Sequence, residues 1–184
     1  MNWYQNSEST KHKVFISYYH IEDQYYRDEF ERKFGHLFIS KSVMPGDIDS
    51  DLSDEYIKKL IQQGYLTDAS VLLVLVGPKT YCRKHVDWEI SAGLNKKVGG
   101  YSGLVGILLP TFPLSSDNKY NYSDIPPRLA DNIKSEYAEM YTWDYACSSE
   151  AQIKSIIQTA FDNRITKADK IDNSRAQYTR DICS

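Results

Sequence analysis

The stretch Val71-Leu-Leu-Val-Leu-Val76 constrains the fold more than any other: six apolar residues in a row, with no polar alternation. A strand with one face in water alternates apolar and polar side chains, so an unbroken run of this length marks a strand covered on both faces. Gly77-Pro78 ends it. Strands of this kind belong to parallel sheets with helices above and below, and the rest of the chain shows the matching alternation.

Lys13-Val-Phe-Ile-Ser17 is short, β-branched and aromatic, and reads as a first strand. Asp23 to Phe34 carries Tyr26, Phe30 and Phe34 at helical spacing, and Gly35 stops it. His36 to Val43 reads as a second strand, followed by the turn-rich loop Met44-Pro-Gly-Asp-Ile-Asp-Ser-Asp51. Asp51 or Ser53 can cap a helix that presents Leu52, Tyr56, Ile57, Leu60 and Ile61 on one face, with Gly64 as its stop. After the central run, His85 to Lys96 places Val86, Ile90 and Leu94 at intervals of four. Gly103 to Leu109 is a second buried-type strand, closed by Pro110.

Residues 111–132 read as a long polar excursion with three prolines, and Glu139 to Asp144 as a short last strand. Ser149-Glu-Ala-Gln152 fits a capping box. The helix it opens carries Ile153, Ile156, Ile157, Ala160, Phe161 and Ile165 as one core-facing stripe. The expected organisation is a polar N-terminal extension over residues 1–12, one domain over 13–165, and a polar tail or short surface helix over 166–184. The alternation predicts an α/β, flavodoxin-like fold: a central, mostly parallel five-stranded sheet, strand order 2-1-3-4-5, with helices on both faces.

Composition narrows the function. A net charge of −3 argues against a nucleic-acid binder, which meets phosphates with a basic face. The longest apolar runs, Val71–Val76 and Leu104–Leu109, fall far short of the roughly 20 residues of a membrane helix. Met1 to His12 is polar, without the apolar stretch of a signal peptide. Cys82, Cys147 and Cys183 are too few and scattered for a disulfide framework, and no CxxC or Cys/His cluster suggests zinc. A reduced, cytoplasmic setting without a metal is the expectation.

In a sheet of order 2-1-3-4-5, ligands bind at the carboxyl ends of strands one and three, where the strand order reverses. That rule points to Ser17-Tyr-Tyr-His20 and to Gly77-Pro-Lys-Thr-Tyr81 with the helix that carries Glu89. The loop Met44–Asp51 would fold over the same edge as a lid. No G-x-G-x-x-G or G-K-[ST] cradle is present, and no G-x-S-x-G elbow. Strand three lacks the terminal aspartate of a response-regulator receiver, and the histidines show no metal-ligand spacing. What remains is Glu89, flanking the stripe of Val86, Ile90 and Leu94 at the rim of the sheet. A carboxylate there suits a reaction whose transition state gains positive charge, such as cleavage of an N-glycosidic bond. Most helix glutamates are solvated surface residues, and spacing alone does not separate Glu89 from them.

Lys13-Val-Phe-Ile-Ser-Tyr18 and His85-Val-Asp-Trp-Glu-Ile90, in this order and on these elements, resemble the two signatures of TIR domains. Met44-Pro-Gly46 matches the family's loop after strand two, and the similarity spans residues 13–165. His85 and Val86 stand where the family usually has tryptophan and cysteine, while a tryptophan stands at Trp88. That variant resembles the TIR-like branch of bacterial anti-phage systems, in particular Thoeris. The resemblance implies an enzyme that takes NAD as substrate and breaks its nicotinamide–ribose bond, with Glu89 as the catalytic residue. It places Phe15, Ile16, Ser17 and Tyr18 on the pocket floor, Tyr19 and His20 at its mouth, and Met44 and Asp47 on the lid. It further implies a cyclic ADP-ribose-type signal for a separate effector, self-association through TIR surfaces, and a phage-derived trigger. Two alternatives stay open: a non-catalytic TIR interaction module, and a nucleoside deoxyribosyltransferase-like enzyme with a glutamate nucleophile.

Overall fold

The computed structural model describes residues 11–41, 53–61, 64 and 66–183. Five strands, β1 (Lys13–Ser17), β2 (Ile39–Ser40), β3 (Val71–Val76), β4 (Gly103–Leu108) and β5 (Glu139–Thr142), form one sheet in the order β2-β1-β3-β4-β5. Every pair is parallel. This is the flavodoxin-like α/β arrangement that the strand–helix alternation predicts. β3 lies at the centre with all six residues buried, as its unbroken apolar run requires.

The helices divide between the two faces. α1 (His20–Phe34), α5 (Trp143–Ala146) and α6 (Glu150–Thr166) cover one face, burying Phe30, Phe34, Trp143, Ile153 and Ile156 against Val14, Ile16, Leu73 and Ile107. α2 (Asp54–Leu60), α3 (Lys84–Gly93) and α4 (Pro127–Lys134) cover the other, burying Ile57, Val86, Trp88, Ile90 and Leu129 against Phe15, Leu72, Val74 and Leu104. Period-two alternation along β1 therefore sends Val14 and Ile16 to the α1 side, and Phe15 with Ser17 to the α3 side. The Ser53 hydroxyl accepts from the Tyr56 N–H and the Ser149 hydroxyl from the Gln152 N–H, so both expected N-caps are present.

Several local expectations give way. The second strand shrinks to Ile39–Ser40 among the described residues, because a 3₁₀ turn at Gly35–Leu37 swings Phe38 inward against Phe30. The polar excursion over 111–132 ends in α4, where Pro127 occupies the first turn, a position that loses no helical hydrogen bond. β5 stops at Thr142 because the Thr142 side chain caps α5 through the Tyr145 N–H. On α6, Ile165 is 70% exposed and off the buried stripe. The loop Met44–Asp51, with Met44 and Asp47, lies outside the described residues, as does Leu52.

Two glycines permit close approach. A Cβ at Gly103 would collide with the Ala160 carbonyl, so α6 rests its backbone directly on β4 there. A Cβ at Gly77 would collide with the Asp23 carboxyl group.

The polar segment after α6 does not trail away. Beyond a 3₁₀ turn at Ala168–Lys170 it runs back along α4 and α3. There it meets a buried ion pair: Arg128 Nε donates to Asp87 Oδ1 at 2.9 Å, with the two side chains 1% and 4% exposed. Asn173 Oδ1 accepts from Arg128 at 2.7 Å, and the Tyr178 N–H donates to Asp87 Oδ2 at 2.9 Å, so the segment completes the polar partners of the pair. At its far end Cys183 is disulfide-bonded to Cys82 across a sequence separation of 101, which corrects the expectation of unpaired cysteines. Spacing could not reveal the pair, since only the returning segment brings the two together. Cys147 is free.

Candidate functional site

β1 ends at Ser17 on the face covered by α3, and the first turns of α3 carry Glu89 across from it. The Ser17 hydroxyl donates to Glu89 Oε2 at 2.5 Å. Both residues are closed off, Ser17 at 1% exposure and Glu89 at 3%. Burial disfavours the charged carboxylate and pushes the Glu89 pKa up to about 8, although the Ser17 hydrogen bond works in the opposite direction. At neutral pH Glu89 is therefore mostly protonated. A positive charge brought beside it would favour ionisation, which makes this carboxyl responsive to a cationic ligand or intermediate.

The remaining residues at the exit of β1 take distinct places. Tyr18 is buried on the opposite, α1 side; its hydroxyl donates to Gln24 Oε1 at 2.7 Å, and burial pushes its pKa up to about 12. The His20 ring stacks on Tyr18 at 4.2 Å between centroids. Although His20 reaches solvent, its ring is desolvated enough to lower its pKa, with repulsion from His85 and Arg27 adding to the effect. Tyr19 is half-buried beneath the Arg83 guanidinium, 3.8 Å from its ring. Phe15 packs in the core below Ser17 on the same face, whereas Ile16 points into the opposite core, away from Glu89. The structure thus joins Ser17 to Glu89 and sets Tyr19 against the start of α3. It does not bring Ile16 or Tyr18 to that side.

Three residues that sequence reasoning passed over, His85, Arg83 and Asp23, stand at the same edge with Thr80 of the expected stretch Gly77–Tyr81. His85 lies one turn before Glu89 on α3, packs against Trp88, and has a buried Nε2 without a hydrogen-bond partner. Its i, i+4 spacing from Glu89 is the signal that could have found it. Arg83 precedes the helix and closes over Tyr19. Asp23, 1% exposed in the first turns of α1, accepts from the Thr80 hydroxyl at 3.2 Å beside Gly77. Burial pushes the Asp23 pKa up to about 6, against the lowering effect of the Thr80 bond. Thr80 in turn accepts from the Gly77 N–H at 2.8 Å, tying the exit of β3 to α1. Two buried carboxyl groups, Asp23 and Glu89, therefore flank the switch point from opposite faces of the sheet.

Among the described residues no group of three or more His, Cys, Asp or Glu side chains could hold a metal ion, and no helix is long and apolar enough to cross a membrane. No curated protein matches the chain. Residues 15–112, more than half of the 184, match the family model described as Thoeris protein ThsB, TIR-like domain. The match runs from β1 through α3 to just beyond β4, and so includes both Ser17 and Glu89. On that match, and on the parallel sheet that carries it, the chain belongs to the TIR-like domain family of the Thoeris protein ThsB.

Proposed function

We propose that this chain is an anti-phage TIR enzyme that cleaves the nicotinamide–ribose bond of NAD, with Glu89 as its catalytic carboxyl. The observation that carries the reading is the Ser17–Glu89 pair at the carboxyl edge of the sheet: a desolvated carboxyl with a raised pKa, held by a hydroxyl. The nicotinamide ring of NAD is cationic. When the glycosidic bond breaks, its electron pair goes to the ring nitrogen, nicotinamide leaves neutral, and the positive charge passes to the ribosyl carbon. Glu89 gives up its proton to water as the cationic ligand comes near, and the carboxylate stabilises the ribosyl cation. Ser17 holds the carboxyl in place through the change. An internal nucleophile of the same ligand then closes on the cation, giving a cyclic ADP-ribose-type product that acts on a separate effector. Shielding from water favours that closure over hydrolysis.

The alternative, a non-catalytic interaction module, has one observation on its side: Glu89 is 3% exposed, so substrate must displace the groups that cover it. Nicotinamide release separates the two. Wild type and Glu89→Gln are incubated with NAD, alone and in extracts of phage-infected cells, and products are read by chromatography and mass spectrometry. Release by the wild type that disappears in the variant is the expected result. No release under any condition, with the variant still protecting cells, would overturn the catalytic reading. Release of bases from nucleosides but not from NAD would point instead to deoxyribosyltransferase-like chemistry.

A further inference from the structure

We propose that Cys82 and Cys183 form a reversible thiol–disulfide couple that latches the segment 171–183 onto the outer side of α3. The two Cα atoms are 5.6 Å apart, within the span that a disulfide bridges. The Ile182 N–H donates to the Cys82 carbonyl at 3.0 Å, which fixes the last residues of the segment in register with the turn that leads into α3. Cys82 is fully buried, but Cys183 is only half-buried and its neighbours Asp181 and Ile182 are exposed. A dissolved thiol therefore reaches the bond from the Cys183 side.

The bond matters because the other anchors of this end are polar. Trp88 Nε1 donates to the Tyr178 carbonyl at 2.7 Å, and Gln177 Nε2 to the Ser91 hydroxyl at 3.0 Å. Asp181 accepts from the Lys84 N–H and from Arg83, each at 2.9 Å, so its carboxylate sits at the positive N-terminal end of α3. Thr179, Arg180, Asp181 and Ile182 are all exposed, so no apolar side chain among them is buried to hold the strand of chain down. Water competes well with hydrogen bonds and ion pairs in such a position. The covalent bond decides whether this end stays docked. Cys147, half-buried on the opposite face of the sheet with its pKa pushed by burial up to about 12, is poorly suited to enter the exchange.

The chemistry balances with a low-molecular-weight disulfide such as oxidised glutathione. The Cys82–Cys183 bond forms as the reagent's own S–S bond breaks, two electrons pass to the reagent, and the two thiol protons leave with two molecules of reduced thiol. Excess thiol drives the reverse reaction. Opening frees residues 179–183, removes Asp181 from the start of α3, and uncovers the Lys84 N–H and the Arg83 guanidinium that Asp181 holds.

The test uses the full chain equilibrated in glutathione buffers from reducing to oxidising. Alkylation with mass spectrometry gives the fraction paired, and limited trypsin digestion gives the cleavage rate after Arg180. The paired form is expected to be cut at least about tenfold more slowly, because cleavage requires local opening. Cys183→Ser should be cut at the fast rate in every buffer, and Cys147→Ser should follow the wild type. Cysteines that stay fully alkylatable across all buffers would overturn the proposal. So would paired and unpaired forms cut at the same rate. Both readouts are independent of any activity on NAD.

Discussion

Replacing Glu89 with glutamine preserves the shape of the side chain and lets its amide oxygen accept from Ser17, while abolishing ionisation. In the wild type the folded state keeps a proton on Glu89 up to about pH 8, whereas an ordinary glutamate releases it near 4.5. Between those values the folded state binds more protons than the unfolded state, so stability falls as pH rises. The slope is about 1.36 kcal/mol per pH unit, and across the window the loss reaches at most about 5 kcal/mol. Below the unfolded value the contribution vanishes; above about pH 8 the loss is complete. Glutamine has no such slope, and any cost of burying its amide N–H₂ is independent of pH. Denaturation in urea from pH 4.5 to 8.5, at fixed salt and thiol concentration, measures both proteins. The difference in stability should move toward the variant by several kcal/mol as pH rises. Asp23, with its own raised pKa of about 6, slopes in the same direction in both proteins and cancels in the difference. Parallel curves for the two proteins would refute the reasoning, since they would mean that Glu89 ionises in the folded state as it does in water.

Three further outcomes follow from the same geometry. Ser17→Ala removes the hydrogen bond that holds the Glu89 pKa down, so the ascending limb of a pH–rate profile for nicotinamide release, which follows Glu89 ionisation, should shift to higher pH and the rate at pH 7 should fall about tenfold or more. Arg128→Ala leaves Asp87 buried without its ion-pair partner and should cost about 3–5 kcal/mol in urea denaturation, while Asp87→Leu combined with Arg128→Met should recover much of that loss. Gly103→Ala drives a methyl group into the Ala160 carbonyl and should destabilise by about 1–3 kcal/mol, whereas Gly99→Ala, with open space around it, should leave the melting temperature within about a degree or two.

Much of the frame was legible in the sequence because its signals are local. The unbroken run Val71–Val76 shows a strand covered on both faces, and the spacing of Phe30 with Phe34, or of Val86 with Ile90, shows a helix with one buried stripe. From strand–helix alternation the order β2-β1-β3-β4-β5 follows, and with it the edge at which Ser17 and the helix of Glu89 meet. α4 was hidden because Pro126-Pro127 reads as a breaker unless the second proline opens the helix. Ile165 was misplaced because it lies in the last turn of α6, off the buried stripe of Ile153, Ile156, Ile157 and Ala160.

Periodicity on α3 indicates only which side faces the sheet; it holds no information about what covers the other side. Here Asp87, Glu89 and Ser91 are buried along with the apolar stripe, because β1 supplies Ser17 on one side and the returning segment supplies Asn173, Gln177 and Tyr178 on the other. That segment is polar, so hydropathy could not reveal that it docks, and Cys82 meets Cys183 only because it does. The sequence by itself determined the sheet, its strand order and the edge at which Ser17 and the helix of Glu89 meet, since these follow from short-range apolar patterns and the handedness of parallel connections. The tertiary structure alone decided that Glu89 is a desolvated carboxyl bound to Ser17 rather than a solvated surface glutamate. Desolvation depends on every segment that packs over a group, and those segments lie far away along the chain.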